Sequence, residues 1–478
     1  MGNATTQAAL SGRLVMIGCG SVGQGVLPLI RRHLDLPPER ITILAADDAG
    51  LAAARACGVA DFRVEPLTRE NYRATLAPLL HAGDFLLNLS VDVSTVALIE
   101  LCRETGALYL DSCIEPWAGG YVDPSVPPAE RSNYRLREDV LALGRRPSAF
   151  RPTAIVTHGV NPGLVSHFAK RALLEVARRG GREVAVPAER EGWARLAQSV
   201  GLRIIHVAER DTQVSAAPKR QGEFINTWSV EAFVSEGSQP AELGWGTHEK
   251  ALPDNGRQHA HGSGAAIYLE QPGVTARVRS WAPLAGPYIG FLVTHGESIS
   301  LADYLTVREG DRAVYRPTVH YAYHPCDAAV LSVHEFNGRN QRLQERHLLL
   351  REEITAGHDE LGVLLGGRDG GGDWAYWYGS RLDIHEARRL APFNNATTLQ
   401  TAAGVLGGIV WAIENSARGI VEPDDLDPER VLQVARPYLG EVTGAWTDWT
   451  PLRDRGRLFP EDLDLDDPWQ FLNVKVSD

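Results

Sequence analysis

The sequence predicts an α/β protein with a doubly wound parallel sheet, followed by a second α/β domain built on a mixed sheet. Three observations support this prediction. An apolar strand near the start of the chain runs into a glycine-rich turn, and short apolar runs alternate with helical segments up to about residue 157. From residue 201 to 320, β-rich runs are separated by Gly and Pro turns. The first pattern is typical of parallel sheets covered by helices, and the second indicates a mixed sheet.

The glycine-rich turn follows the apolar residues 14–17 directly. In a dinucleotide-binding turn, the first glycine permits the tight bend and the second lets the backbone approach a pyrophosphate. The third glycine lets the next helix pack closely on the strand. The N-terminus of that helix directs N–H groups and positive partial charge at the phosphate. The sequence thus predicts a Rossmann-type site formed by Gly18, Gly20, Ser21, Val22 and Gly23.

The end of the second strand bears on which dinucleotide binds. An acidic residue roughly 20 positions after the glycines binds the ribose 2′-hydroxyl of NAD. Here Ala45 and Ala46 end the strand, and the candidate acids Asp47 and Asp48 come one or two positions late. No Arg or Lys follows closely enough to indicate a site for a 2′-phosphate. We therefore expect NAD rather than NADP, with the ribose-binding residue left open.

The predicted elements divide the chain into segments. The strands of the parallel sheet are expected at residues 14–17, 41–45, 85–88, 108–111 and 154–157. The glycine run at 366–372 is interpreted as a loop, and it is not a phosphate loop because no Gly-Lys-Ser/Thr sequence follows it. We expect a nucleotide-binding domain at 1–155, a substrate and dimerisation domain at 156–385, a helix returning to the first domain at 386–425, and a wrapping tail at 426–478.

Composition excludes several classes of function. A net charge of −12 over 478 residues argues against nucleic acid as a partner and suits a cationic small molecule. The five cysteines are scattered without a Cys-x-x-Cys motif, which indicates free thiols in a reducing compartment. No apolar run reaches the length of a membrane span, and no secretory signal is recognisable. We therefore expect a cytoplasmic protein with no membrane partner.

Acidic and aromatic residues concentrate in the middle of the chain. Carboxylates beside tryptophan faces suit an alkylammonium ion, because a carboxylate supplies charge and an indole supplies a cation–π contact. An acidic, solvated rim around a buried Trp228 is the alternative interpretation. The residues in question are Glu209, Asp211, Trp228, Glu231, Glu236, Glu242 and Trp245.

Other polar residues admit two interpretations each. Asn88, Ser90 and Asp92 follow a predicted strand, where they would either contact a cofactor or cap the next helix. Glu115 would either face the nicotinamide end of the site or lie on the surface. His295 would either relay protons or satisfy a local hydrogen bond.

Two other candidate chemistries are not expected. His320, His324 and Cys326 lack a clear fourth metal ligand and lie in a strand-like segment, so no metal site is predicted. Cys19 and Cys113 have no evident His-plus-acid arrangement, so neither is expected to be a thiolate nucleophile.

Ten motifs in order along nearly the whole chain resemble those of the bacterial homospermidine synthases, in the saccharopine-dehydrogenase-like superfamily. They are far more specific than the glycine turn alone. These motifs occupy residues 15–18, 88–92, 115–117, 131–134, 161–163, 205–212, 234–237, 240–247, 321–326 and 447–452.

The resemblance implies a defined reaction and a set of site residues. The family oxidises one amine of putrescine with NAD⁺, loses ammonia, condenses the product with a second putrescine and reduces the resulting imine with the NADH just formed. Spermidine is an alternative donor. By resemblance, Glu209, Asn161 and His295 lie near the reacting centre, with Glu209 moving protons. Glu236 and Glu115 would hold ammonium groups, and Trp228 would face a cationic imine.

The resemblance also implies the cofactor contacts and the assembly. Together with the aromatic tail, it indicates a homodimer. The residues expected to line NAD besides the glycine turn are Asn88, Leu89, Ser90, Asp92 and Asn161.

Two alternatives are weighed against this reaction. A net dehydrogenase of the saccharopine or carboxyspermidine type would need arginines converging on the pocket to bind amino-acid carboxylates, whereas the candidate segments here are acidic. A non-catalytic NAD-dependent sensor would keep the glycine turn without needing the glutamates and tryptophans.

Overall fold

The computed structural model describes residues 5–179, 181 and 183–476. Residues 1–4 of the expected nucleotide-binding segment and 477–478 of the expected tail lie outside the described residues. The described elements up to residue 155 alternate strands with helices. They are β1 Ala8–Ala9, β2 Leu14–Ile17, α1 Ser21–His33, β3 Leu34–Asp35, β4 Ile41–Ala45, α2 Leu51–Ala56, β5 Asp61–Val64, α3 Tyr72–Leu76, β6 Phe85–Asn88, α4 Thr95–Thr105, β7 Leu108–Asp111, α5 Asn133–Arg145 and β8 Ala154–Ile155.

The remainder of the chain is richer in strands. Its elements are α6 Leu164–Ala177, α7 Arg190–Ser199, β9 Leu202–Asp211, β10 Val214–Ser215, β11 Glu223–Asn226, α8 Val230–Ser238, β12 Pro240–Gly244, β13 Gly256–Gln258, β14 Ala266–Pro272, β15 Arg277–Ala282, β16 Gly286–Phe291, α9 Gly296–Tyr304, β17 Val307–Glu309, β18 Arg312–Tyr315, β19 Thr318–His324, α10 Asp327–Gly338, β20 Arg346–Leu349, β21 Ile354–Ala356, β22 His358–Asp369, β23 Gly372–Asp383, α11 Ile384–Leu390, α12 Ala396–Glu414, β24 Ile420–Val421, α13 Pro428–Ala435, β25 Glu441–Thr447 and α14 Phe471–Val474.

The predicted parallel sheet is confirmed. Within the described residues it has seven strands in the order β24-β8-β7-β6-β2-β4-β5, all parallel. Every residue of β2, β4, β6 and β7 is buried. Continuous apolar strands of this kind arise because helices cover both faces of a parallel sheet. The carboxyl ends of β2, β6 and β7 meet at one edge, where ligands bind in open α/β sheets.

The predicted mixed sheet is also confirmed. Its main path is β13-β14-β12-β19-β9-β22-β23-β25, and β16 joins it through β19. At the centre, β9 pairs parallel with β19 and antiparallel with β22. Alternate residues of β9 face opposite sides. Ile205 and Val207 belong to the same apolar cluster as residues of α6 and α12, while Ile204 and Ala208 pack with Trp469 and other residues from the end of the chain.

Helix α12 joins the two halves of the molecule. It packs against α1 beside the parallel sheet and also contacts β22 and β23 of the mixed sheet. Asn395 begins the helix with a reciprocal capping box that involves Thr398. Among the described helices, α12 alone is long and apolar enough to cross a membrane, but 89% of its most apolar window is buried inside the protein. Since the core helices of globular proteins meet the same criterion, the finding is weak evidence for a span.

Two details differ from the sequence-based expectations. The glycine run 366–372 is mostly strand: β22 continues to Asp369 and β23 begins at Gly372, so only a tight turn separates them. Small residues are needed there because a Cβ on Gly366 would lie 2.5 Å from the ring of Trp469. Residues 426–478 do not simply wrap the surface. Strand β25 extends the mixed sheet beside β23, since its backbone pairs with an otherwise free strand edge.

Candidate active site

The glycine-rich turn joins β2 to α1 at the carboxyl edge of the parallel sheet. Gly18 has a φ of +85°, and a Cβ there would lie 2.6 Å from the carbonyl oxygen of Leu89. A Cβ on Gly23 would lie 2.7 Å from the carbonyl oxygen of Gly18. At Gly20, no described atom outside its chain neighbours lies within 4 Å of a Cβ position. The turn is therefore packed against protein at Gly18 and Gly23 and open at Gly20.

The open face lies beside the N-terminus of α1. The helix begins at Ser21, and no side chain of the described residues caps it. Its first-turn N–H groups are therefore free to bind an anion, and the helix dipole favours negative charge there. This geometry fits the pyrophosphate of a dinucleotide. The late acids Asp47 and Asp48 are exposed beyond the end of β4.

The segment after β6 folds beneath the glycine turn. The N–H of Leu89 donates to the carbonyl oxygen of Ile17 at 2.7 Å, and the hydroxyl of Ser90 donates to Asn88 Oδ1 at 2.6 Å. The capping alternative for Asn88, Ser90 and Asp92 is wrong. Ser94 caps α4 instead, accepting the N–H of Ala97 at 3.4 Å.

Glu209 lies on β9 at the centre of a buried hydrogen-bond cluster. Its Oε2 accepts a hydrogen bond from Asn161 Nδ2 at 2.7 Å and another from the hydroxyl of Tyr321. Burial raises the pKa of Glu209 to about 7, although the two hydrogen bonds and the nearby charge of His295 act in the opposite direction. The carboxyl group can therefore take up and release a proton near neutral pH.

A second cluster is centred on His295, which precedes α9. Its Nε2 lies 3.3 Å from Glu236 Oε2, and its Nδ1 lies 3.2 Å from Glu297 Oε1. Burial alone would lower the pKa of His295, but the two carboxylates outweigh it and raise the pKa to about 10. His295 is thus a cation held between two acids. Its ring centroid lies 4.2 Å from that of Tyr321, which connects this cluster to Glu209.

Aromatic rings form a wall beside the two clusters. Tyr321 and Tyr323 stack with centroids 5.1 Å apart. Trp228 Nε1 donates to the hydroxyl of Tyr323 at 2.7 Å, and the indole packs against Phe233. Trp228 is only half-buried, so part of its ring surface is accessible. Trp228 packs against the main apolar cluster without being fully buried, so its role at the site stays a prediction.

Glu115 is buried rather than on the surface, with an exposed fraction of 4%. Its Oε2 accepts the N–H of Asp92 at 3.3 Å, which places it next to the segment after β6. Burial raises the pKa of Glu115 to about 8, and the charge of Glu236 adds to the increase. Cys113 stands between these acids, and its thiol donates to Glu236 Oε1 at 3.7 Å.

Sequence reasoning did not single out four residues of this site: Tyr321, Tyr323, Glu297 and Asp359. Asp359 lies opposite Asp211 across the β9–β22 pairing, with one carboxylate oxygen bonded to Thr397 and the other buried without a described partner. Burial, followed by the charges of Glu209 and Asp211, raises its pKa well above the usual range. The Tyr-x-Tyr alternation in β19 is the signal that could have indicated two tyrosines on one face.

The histidines and the cysteine of residues 320–326 do not converge. His320 packs against His206 with ring centroids 4.2 Å apart, while His324 Nδ1 faces the carbonyl oxygen of Pro325 at 2.9 Å. Four residue steps along the strand place the two histidines about 13 Å apart. Across the described part of the chain, no group of three or more His, Cys, Asp or Glu side chains could hold a metal ion.

Comparison with known proteins agrees with this architecture. The saccharopine dehydrogenase NADP binding domain matches residues 14–155, and the saccharopine dehydrogenase C-terminal domain matches residues 159–447. A saccharopine dehydrogenase (L-Glu forming) from Saccharomyces cerevisiae shares the fold alone, with a TM-score of 0.50 at 9% identity over 91% of this chain and 100% of that chain.

Three homospermidine synthases are much more similar. The one from Blastochloris viridis is 55% identical over 98% of both chains, and the one from Mesorhizobium japonicum is 52% identical over 98% of this chain and 97% of its own. The crystal structure of the Legionella pneumophila homospermidine synthase, in complex with NAD, has a TM-score of 0.91 at 46% identity over 98% of both chains. The chain therefore belongs to the saccharopine dehydrogenase family and, within it, to the homospermidine synthases.

Proposed function

We propose that the chain is a transferase with an internal redox cycle, which makes homospermidine by moving an aminobutyl group from putrescine, or from spermidine, to putrescine. The observation that carries this proposal is the composition of the site. Glu209 is buried beside the aromatic wall, the side chain of Glu236 is 12% exposed, and no arginine or lysine of the described residues forms an ion pair with either of them. Such a site suits a diamine.

NAD would supply the hydride chemistry, accepting a hydride from the carbon that bears the amine and returning it to the product imine. The open face at Gly20 and the free N-terminus of α1 would bind its pyrophosphate. The residues proposed to hold it are Gly18, Gly20, Ser21, Val22, Gly23, Asn88, Leu89, Ser90, Asp92 and Asn161.

The reaction needs a proton acceptor near the substrate nitrogen. A hydride leaves readily only from a carbon that bears a neutral amine, because its lone pair forms the new C=N bond. Glu209, whose pKa is raised to about 7, accepts the proton of the ammonium group and later returns one to the product nitrogen. The hydrogen bonds from Asn161 and Tyr321 orient its carboxylate.

The remaining bonds are exchanged without an external oxidant. The second putrescine adds its neutral amine to the imine carbon, the first nitrogen leaves as ammonia, and a secondary imine forms. The hydride then returns to carbon and a proton goes to nitrogen, giving homospermidine. The two electrons removed in the first step are those restored in the last.

The other acids would anchor the amine that does not react. Glu236 binds an ammonium group in the pocket, with His295 and Glu297 fixing its charge and position. Glu115 binds one at the entrance. The accessible ring surface of Trp228 faces the cationic imine, where a cation–π contact tolerates the loss of water.

A net dehydrogenase of the saccharopine or carboxyspermidine type is not favoured. Such an enzyme binds a carboxylate on its substrate, which calls for arginine or lysine. The described groups around the reacting centre are carboxylates, tyrosines, an amide and one histidine held between two acids.

The proposal is tested with 1,1-dideuterated putrescine and NAD⁺ at a small fraction of the substrate concentration. We expect homospermidine that retains deuterium at a carbon next to the new secondary amine, one ammonia per turnover and no lasting NADH absorbance. Lasting NADH with free aminoaldehyde would instead identify a simple amine dehydrogenase. Loss of deuterium to solvent would contradict the internal hydride cycle.

We further propose that the chain acts as a homodimer in the cytoplasm, without nucleic acid or membrane partners. Exposed apolar side chains near the end of the chain support self-association: Trp446 is 43% exposed and Phe459 is 77% exposed. The five free cysteines fit a reducing compartment. The net charge of −12 disfavours binding to nucleic acid. Light scattering on the eluting protein measures the mass against the 52.2 kDa monomer.

A further inference from the structure

An arginine from the distant part of the chain reaches the glycine-rich turn. Arg351 lies between β20 and β21, and its Nη1 donates to Gln24 Oε1 at 2.6 Å. Gln24 is in the first turn of α1, and its Nε2 donates to the carbonyl oxygen of Cys19 at 2.9 Å. Cys19 stands between Gly18 and Gly20. One neutral side chain thus separates a guanidinium from the backbone of the turn.

The charge of Arg351 is only partly offset by the protein around it: the pKa of the neighbouring Glu353 is lowered by the backbone N–H of Arg351 and also by the Arg351 charge. Among the described residues, no carboxylate oxygen lies within 4.0 Å of its guanidinium. The neighbouring Glu353 accepts the backbone N–H of Arg351 instead, at 3.0 Å. The bond to Gln24 uses one of the five N–H donors of a guanidinium. A half-buried cation with free donors therefore stands beside a turn that is open at Gly20.

The field of Arg351 extends to the turn itself. Burial raises the pKa of the Cys19 thiol to about 12, and the positive charge of Arg351 acts against that increase. The guanidinium is thus close enough to stabilise a negative charge at the turn.

The segment that carries Arg351 is fixed to the wall of the reaction site. Its carbonyl oxygen accepts a hydrogen bond from Arg388 Nη2 at 2.7 Å. Asn395 Nδ2 donates both to the carbonyl oxygen of Leu350, at 3.1 Å, and to that of Thr227, at 2.6 Å. Thr227 directly precedes Trp228. The same side chain therefore positions both Arg351 and the segment of the aromatic wall.

We infer that Arg351 binds the pyrophosphate of the dinucleotide and thereby retains the cofactor between its two hydride transfers. A guanidinium matches the paired oxygens of a pyrophosphate. This inference rests on the proposed function, in which the NADH formed by the first step must remain bound until the imine is reduced. No acidic residue at the end of β4 is placed to hold the ribose. The contact from Arg351, on the mixed-sheet side, would therefore add affinity for the dinucleotide that the parallel sheet does not supply.

The test measures the binding of ADP-ribose to the full-length protein by calorimetry, for the wild type, Arg351→Ala, Arg351→Lys and Arg342→Ala. Arg342→Ala removes the same charge from an exposed position nine residues earlier in the chain. We expect the Kd of ADP-ribose to rise between about tenfold and a hundredfold in Arg351→Ala, as for loss of a charged hydrogen bond. Arg351→Lys should be intermediate, and Arg342→Ala should match the wild type.

Two further measurements separate phosphate binding from a structural role. The dependence of the Kd on salt concentration should weaken in Arg351→Ala, because one charge–charge contact is lost. Adenosine, which has no phosphate, should compete equally well in wild type and variant. Unchanged ADP-ribose binding in Arg351→Ala would overturn the inference, and so would an equal loss for adenosine. Should Arg351→Ala fail to fold, Arg351→Gln, which also removes the charge, replaces it and is judged by the same criteria.

Cofactor retention is measured during turnover with putrescine, using lactate dehydrogenase and pyruvate to consume any NADH that is released. The wild type should lose little NADH, and Arg351→Ala should form lactate and free aminoaldehyde. Equal lactate formation by both proteins would contradict retention. The two proposals can fail separately. ADP-ribose binding tests the Arg351 contact and requires no amine chemistry. Absence of homospermidine from the wild-type reaction would reject the proposed function alone.

Discussion

Glu209 and Glu236 are carboxylates of one site, but their neighbours differ in charge. Glu209 is bonded to the neutral groups of Asn161 and Tyr321, and burial raises its pKa to about 7. Glu236 faces His295, whose pKa is raised to about 10 and which is therefore a cation at neutral pH. The first arrangement allows proton transfer and the second fixes a charge. The difference supports the two roles proposed for these carboxylates, which would follow from their surroundings.

The largest effect is expected from Glu209→Gln, which keeps the shape but removes the proton acceptor. We expect kcat for homospermidine formation to fall by about 10³-fold, within the range for general acid–base groups. In the wild type, kcat/KM should rise with pH through about 7, as the carboxyl group loses its proton. The rise should be absent from the variant.

Glu231→Gln is the matched control for that substitution, since Glu231 lies on α8 with its side chain 59% exposed. It should behave as the wild type does. Retention of most activity by Glu209→Gln would show that another group transfers the proton. The proposed difference in role between Glu209 and Glu236 would then be contradicted.

His295→Gln tests the role of the positive charge that faces Glu236. We expect kcat/KM to fall by about 100-fold. The substitution should also destabilise the fold by about 3 kcal/mol at pH 6, because Glu236 and Glu297 lose their shared cation. The folded pKa of about 10 lies above the ordinary value of 6.5. The stabilising effect of His295 is therefore complete below pH 6.5 and disappears as the pH rises through about 10.

Urea unfolding of both proteins between pH 6 and pH 10 measures this difference. The two curves should converge as the pH increases. A difference in unfolding free energy that stays constant over this range would mean that His295 contributes through packing and not through its charge.

Trp228→Phe should have a smaller effect, about three- to tenfold in kcat, because phenylalanine offers a weaker π face to a cation. The substitution also removes the hydrogen bond from Trp228 Nε1 to Tyr323. Tyr323→Phe removes that same bond but leaves the indole in place. Steady-state kinetics of both variants distinguish the two contributions, and equal losses would assign the effect to the hydrogen bond.

Glu115→Gln should have the smallest effect, a few-fold increase in KM for putrescine with kcat unchanged, because Glu115 is proposed to hold an ammonium group away from the reacting nitrogen. Because the pKa of Glu115 is about 8, the carboxylate is fully charged only at higher pH. The ratio of variant to wild-type KM should therefore be larger at pH 9 than at pH 7. A drop in kcat would place Glu115 at the reacting centre.

The fold could be predicted because its signals are local. Apolar runs at 14–17, 41–45, 85–88 and 108–111 became strands with the same bounds, since each is buried on both faces and nothing in its neighbourhood competes. The prediction of a loop at 366–372 was wrong because the reason for the glycines there is not local. Gly366 leaves room for the ring of Trp469, which lies about a hundred residues further along the chain.

The site was only partly predictable. Glu209, Glu236 and His295 stand out in the sequence as an acid-rich segment and a histidine after a strand. Asp359 and Tyr321 did not, because their proximity to Glu209 arises from the pairing of β9 with β22 on one side and β19 on the other. Strand pairing over such distances leaves no spacing pattern along the chain.

By itself, the sequence determined the parallel sheet, the phosphate-binding turn and the types of residue available for the chemistry. Those properties depend on backbone freedom, hydrophobic alternation and charge, which neighbouring residues fix. The tertiary structure alone decided which carboxyl groups have a raised pKa and which lie next to a cation. Burial and the distance between charges set a pKa, and both depend on residues brought together from β9, α8, β19 and β22.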